Sequence, residues 1–163
     1  MRRVPNLWLS RSWTTRPRRP TEPPDSYVFV DRATFDRRIG EGGFLEWAEV
    51  FSGHLYGTPI PDPPPGHDVV LEIDVQGAEQ VRAAHPDAVI VLLVPPTRDE
   101  QIRRLTERGD PADQVAERVA KAEREEERGR VVADHVVVND DLSRAIDEVA
   151  GILASHRSAA GDA

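Results

Sequence analysis

The 163 residues carry a formal net charge of -8 at pH 7, with 39% hydrophobic and 31% charged side chains, the balance of a soluble globular domain. The absence of cysteine excludes disulfides and thiolate metal sites; no apolar run is long enough to span a membrane, and Met1 to Pro5 lack the apolar stretch of a signal peptide, so a cytoplasmic location is expected. Twenty arginines stand against one lysine, Lys121, and the first glycine is Gly40, so the chain holds no phosphate loop of the G-x-x-x-x-G-K-[ST] kind.

Taken in chain order, Leu7 to Ser12 and Tyr27 to Val30 read as short strands. Asp31 is placed to cap a helix through Ile39, with Gly40 as its left-handed stop. Phe44 to Phe51 and His54 to Tyr56 form a hairpin about the turn dipeptide Ser52-Gly53, and the four prolines between Ile60 and Gly66 make that stretch a loop. Val69 to Ile73, Ala88 to Val94 and His135 to Val138 are β-branched runs suited to strands buried on both faces. Helices separate them over Gln76 to Ala84, Thr97 to Thr106 with a Thr97/Glu100 capping box, and Ala112 to Arg128. A last helix over Leu142 to Ser155 has apolar residues at 142, 146, 149, 152 and 153. The pattern predicts a doubly wound, mostly parallel α/β fold without its first strand.

Two groups of residues carry chemistry. Arg11, Arg16, Arg18 and Arg19 crowd the acid-free segment Ser10 to Pro20 of an acidic chain, which suits phosphate, although a solvated basic arm has the same composition. Guanine presents N1–H and N2–H donors beside its O6 acceptor, so a site that selects it needs a carboxylate and a hydroxyl or amide. Glu46 and Thr58 supply that pair from adjacent strands, and Asp74 ends an apolar strand where open α/β sheets hold ligands. Singly, Glu46 reads as a surface carboxylate and Thr58 as a turn residue before Pro59. The five histidines share no ligand spacing, and no metal site is expected. Nucleic-acid binding is not expected either, since no aromatic platform is interleaved with the arginines.

The segments Ser12 to Pro20, Tyr27 to Val30, Phe44 to Glu49, Tyr56 to Pro59, Leu71 to Gly77, Arg104 to Gly109 and Val136 to Leu142 together resemble the bacterial guanylate kinases. That resemblance implies ATP-dependent phosphorylation of GMP to GDP on a P-loop nucleoside monophosphate kinase fold. It implies a single domain with a small mixed β GMP-binding lobe (about 16–66), a core (67–96 and 131–156) and a helical lid (about 104–130). Ser12, Arg16, Arg19, Tyr27 and Tyr56 would hold the GMP phosphate; Tyr27 and Tyr56 are the only tyrosines. Glu46, Thr58 and Asp74 would read guanine. Arg108, Arg118 and Asn139 would meet ATP, with Arg16, Arg19, Arg108 and Arg118 serving catalysis. ATP and Mg²⁺ would be required, and GMP and ATP would be the partners. Against the family pattern, Trp13 replaces a small residue, the chain is one residue shorter before Tyr27, and the Pro-rich loop stands where a helix is usual. The strand, phosphate loop and helix that precede Ser12 in the family are missing as well. Two readings of that departure stay open: an ordinary guanylate kinase whose start lies further upstream, inactive in the present form, or a kinase-dead relative that binds GMP or a protein partner.

Overall fold

The computed structural model describes residues 3–20, 22–107, 109 and 112–161, which fall into two compact units, Met1–Ala88 and Val89–Ala163. In the first unit, β1 (Leu7–Leu9) pairs in parallel with β6 (Asp68–Val70), in the register Leu7 with Asp68 through Leu9 with Val70. A second, four-stranded mixed sheet runs in the order β3 (Val28–Phe29), β2 (Trp13–Thr14), β5 (His54–Pro59), β4 (Phe44–Phe51). The run expected as one strand from Leu7 to Ser12 therefore divides: its last ladder bond to β6 is Ser10 N–H to the Val70 carbonyl, after which the chain enters the second sheet at Trp13.

The β4–β5 hairpin forms as its sequence requires. Ser52 and Gly53 both adopt positive φ, 53° and 74°, the backbone that a two-residue turn needs to match the strand twist. Helix α1 (Arg32–Gly40) begins at Asp31, whose side chain accepts the Thr34 N–H at 2.7 Å. Its stop differs from expectation. Gly40 stays helical and Gly42 takes the left-handed φ of 64°, while the Gly43 N–H closes the end on the Arg38 carbonyl. Gly43 is buried, and a Cβ there would run into the Arg38 side chain, so a glycine lets the helix end fold under its own arginine. Phe35, wholly buried, stacks on Phe44 at 4.5 Å, and Trp13 meets Phe44 edge-on at 5.7 Å while Arg38 covers its ring. Helix α2 (Val75–Ala84) starts at Asp74, which accepts the Gly77 N–H, and the strand expected through Ile73 ends three residues early at Val70.

In the second unit, β7 (Val91–Val94) pairs in parallel with β8 (His135–Val138); the stretch before Val91 is held by Asp134, whose carboxylate accepts the Ile90 N–H at 2.7 Å. Helices α3 (Arg98–Glu107), α4 (Ala112–Val132) and α5 (Leu142–Gly161) complete it, around Val94, Val115, Val137 and Ala145. The capping box at α3 is half made. Thr97 accepts the Glu100 N–H, but the Glu100 carboxylate turns to Arg103 and Arg104 at 2.6 Å each, charge-assisted bonds that outcompete a backbone amide. The parallel strands expected as one sheet are two separate pairs, because no described strand carries a ladder to both. Among the described residues, no helix is long and apolar enough to cross a membrane.

Candidate functional site

The first unit holds the residues expected at GMP, three of which, Glu46, Tyr56 and Thr58, lie on the four-stranded sheet. In the antiparallel ladder of β4 and β5, Glu46 lies opposite Thr58 and Ala48 opposite Tyr56, and directly opposed side chains share a face. Glu46 is 5% exposed and its Oε1 accepts the Thr58 N–H at 2.9 Å. Burial is the main influence on this carboxyl and raises its pKa; the contact with Thr58 opposes the shift and the charge of Asp74 adds to it. The Thr58 hydroxyl is fully buried and has no partner at hydrogen-bonding geometry. A buried carboxylate with spare lone pairs beside an unsatisfied hydroxyl can accept two adjacent donors and donate to one acceptor.

Two neighbours fix this pair. Asp74, at the N-cap of α2, is engaged with the Gly77 N–H at 2.9 Å and with Gln76 Nε2 at 3.3 Å. Gly77 makes the close approach possible, since a Cβ there would stand 2.6 Å from Glu46 Oε2. The edge strand is tied to α2 by Gln80, which accepts the Trp47 N–H and donates to the Trp47 carbonyl, and by Gln76 donating to the Glu49 carbonyl.

The basic segment supplies the second half of the site. Arg16 Nε donates to the Tyr56 hydroxyl at 3.0 Å, and the guanidinium lies over the rings of Tyr27 and Phe29 at 5.6 and 5.7 Å. Tyr27 packs edge-on against Tyr56 at 5.9 Å, and its phenol pKa is raised, chiefly by burial and then by the charge of Glu72. Ser12 is half-buried and its carbonyl accepts the Val28 N–H, which brings β3 and Tyr27 beside β2. Arg19, also half-buried, makes no side-chain hydrogen bond or ion pair with another described residue. The structure thus brings Arg16, Tyr27 and Tyr56 into one cluster and Glu46, Thr58 and Asp74 into another, with β5 contributing to both.

Arg118 and Asn139 belong to the second unit. Arg118 is half-buried on α4, and Asn139 follows β8 with its N–H on the Val94 carbonyl at 2.8 Å. Arg108 lies outside the described residues. Lys121, also on α4, pairs with Glu125 at 3.3 Å. No three acidic or histidine side chains among the described residues converge as a protein-held metal would require.

Two site residues escaped the sequence reading. Glu22 binds Arg16 in a fork, Nη2 to Oε1 at 2.8 Å and Nη1 to Oε2 at 3.0 Å. Gly77 matters through its missing Cβ. An acid six residues after an arginine, in a proline-broken segment, carries no periodic signal; only the acid-free stretch ending at Pro20 pointed toward the first carboxylate after it.

Comparison with known proteins shows which family the chain resembles. The family model for guanylate kinase matches residues 8–156. A guanylate kinase of Thermobifida fusca is 44% identical over 159 residues, covering 94% of this chain and 81% of its own length. A guanylate kinase of Thermus thermophilus is 46% identical over 161 residues, covering 95% and 72% respectively. The crystal structure of guanylate kinase from Anaplasma phagocytophilum superposes with a TM-score of 0.79 at 31% identity, over 94% of this chain and 78% of that one. With a family model matched over residues 8–156 and relatives more than 40% identical over nearly all of its length, the chain belongs to the guanylate kinase family, nucleoside monophosphate kinases that phosphorylate GMP from ATP.

Proposed function

We propose that this chain binds GMP in its first unit, with Ser12, Arg16, Arg19, Tyr27 and Tyr56 on the phosphate and Glu46, Thr58 and Asp74 at the guanine. The observation that carries the reading is the buried Glu46–Thr58 pair, a carboxylate with lone pairs to spare beside a hydroxyl with no partner. Such groups are costly to bury unless something else completes their hydrogen bonds, and the N1–H, N2–H and O6 edge of guanine does so. Adenine offers no such edge. On the same reading residues 16–66 form the GMP-binding lobe, 67–96 with 131–156 the core, and 104–130 the lid, within a single domain.

In the family's reaction an oxygen of the GMP phosphate attacks the γ-phosphorus of ATP, and protein groups contribute by positioning and by stabilising charge. Arg16 and Arg19 offset the negative charge of the acceptor phosphate, and Tyr27 and Tyr56 wall it on one side. Arg108, Arg118 and Asn139 serve the ATP phosphates. Magnesium enters as the MgATP substrate, held mainly by phosphate oxygens, and among the described residues no converging acidic set competes for it.

The 163 residues on their own are expected to bind GMP without phosphorylating it. Their only lysine is paired on α4 and no glycine precedes Gly40, so they supply no backbone cradle for the β- and γ-phosphates. A coupled assay for GDP formation tests this. The chain alone should give no turnover, and the chain joined to a strand, a G-x-x-G-x-G-K-[ST] loop and a helix should gain it. A joined protein that binds both nucleotides and stays inactive would indicate a kinase-dead binding module; turnover by the chain alone would refute the cradle argument.

A further inference from the structure

Arg16 is the most heavily engaged cation of the described site. Of its five guanidinium N–H groups, four have acceptors: the Tyr56 hydroxyl on Nε, the Pro17 carbonyl (2.7 Å) and Glu22 Oε2 on Nη1, and Glu22 Oε1 on Nη2. The arginine and its partner are 11% and 13% exposed, so the fork is largely shielded from water. Glu22 holds more than Arg16. Its Oε2 also accepts the Arg19 N–H at 3.1 Å, its own N–H returns to the Arg19 carbonyl at 3.1 Å, and its carbonyl accepts Arg18 Nη1 at 2.6 Å. The Arg16 bond is the foremost cause of the lowered Glu22 pKa, and the Glu22 bond of the raised Arg16 pKa. Arg19, whose backbone is pinned in this way, leaves its guanidinium without a hydrogen-bond partner among the described residues.

We propose that Glu22 is the positioning residue of the phosphate site: it locks the plane of Arg16, leaving one Nη2–H to donate, and sets the Arg19 backbone so that both arginines meet one phosphate. This rests on the proposed GMP site. A wobbling Arg16 would have to be ordered by the ligand, whereas here its guanidinium and the Arg19 backbone are held before binding. A rival role is open to the same contacts: a carboxylate occupying the fork as a stand-in for phosphate, which the ligand must displace. The bond that the Glu22 carboxylate accepts from the Arg19 N–H favours the positioning role, because displacement would break that bond as well as the fork. The two roles predict opposite signs.

The test is calorimetric titration of the full chain and its Glu22→Gln, Glu22→Ala and Arg16→Ala/Glu22→Ala variants with GMP and with guanosine. Glu22→Gln and Glu22→Ala should weaken GMP binding about ten-fold or more while guanosine binding moves less than about two-fold. In the Arg16→Ala background, removing Glu22 should cost less than it does in the wild type, because only its hold on the Arg19 backbone is left to lose. The more conservative Gln variant and a parallel melting curve keep the comparison on folded protein. Equal loss of GMP and guanosine affinity, or GMP affinity unchanged in both single variants, overturns the proposal; a gain in GMP affinity overturns it in favour of the displaced carboxylate. A wild-type chain that binds guanosine as well as GMP overturns the phosphate site itself, an outcome read from the wild type alone.

Discussion

Replacing Glu46 by Gln changes one atom and should separate binding from stability. The carboxylate accepts the Thr58 N–H through Oε1 and, in the proposed complex, guanine N1–H and N2–H. The amide can still accept from Thr58, but its NH₂ then faces the guanine donors. Two charge-assisted bonds are lost and donors oppose donors, so GMP affinity should fall by about 3 kcal/mol, roughly 150-fold. Stability should move the other way or not at all. Burial raises the Glu46 pKa, so between the ordinary glutamate value and the raised one the native state binds more protons than the unfolded chain. The stability that goes with this is fully present below the ordinary value and is lost as pH rises through the raised one. Above the raised value the buried charge therefore works against the fold, and the amide removes that burden. The same titration makes GMP affinity in the wild type rise with pH through the raised Glu46 pKa and stay flat in Glu46→Gln. Calorimetry across a pH series, paired with thermal melts of the free proteins, measures both. GMP affinity within about three-fold of wild type would refute the guanine assignment, because that corresponds to only about 0.6 kcal/mol. A sharply lowered melting temperature would make Glu46 a structural residue.

Thr58→Val should keep or raise stability, since the hydroxyl it removes is buried without a partner, yet weaken GMP binding by about 1 kcal/mol; melts and titrations distinguish this from a general packing defect. Arg19→Ala should cost about 1.5 to 3 kcal/mol of GMP binding with an unchanged melting temperature, whereas Arg16→Ala should lower both, because it strands the Glu22 carboxylate. Gly77→Ala puts a methyl within 2.6 Å of Glu46 Oε2 and should weaken guanosine and GMP alike, as titration with both would show. On acidification, Glu22 contributes stability that is present above the ordinary glutamate value and is lost as pH falls through its lowered pKa; Glu22→Gln should flatten that acid limb in pH-dependent melts.

What the sequence disclosed depended on how local the determinant was. The hairpin turn at Ser52-Gly53, the Asp31 cap and the facing of Glu46 and Thr58 follow from turn chemistry and strand alternation, and all three are present. The stop of α1 is not at Gly40 because two later glycines compete with it, and the choice falls to Gly42 and Gly43 through the fit of Arg38 over the helix end. The strands are shorter than their β-branched runs for a different reason. A β-branched run such as Val69 to Ile73 states a propensity, but a ladder lasts only as long as its partner, and β1 offers three residues before the chain crosses to the other sheet. The Arg16–Glu22 fork and the Gly77 approach are tertiary facts: one joins side chains across a proline-rich turn, the other is the absence of an atom next to Glu46, far away in the chain. Neither leaves a periodic trace.

The claim on which the rest depends is that the first unit selects guanine nucleotides. Titrating the purified chain with GMP and with AMP under identical conditions tests it most directly, because the two ligands carry the same phosphate and differ at the base edge. The account predicts GMP bound tighter by about 2 kcal/mol or more, roughly thirty-fold, since adenine leaves the buried Glu46 carboxylate without the donors it lacks. Equal affinity for the two nucleotides would contradict it.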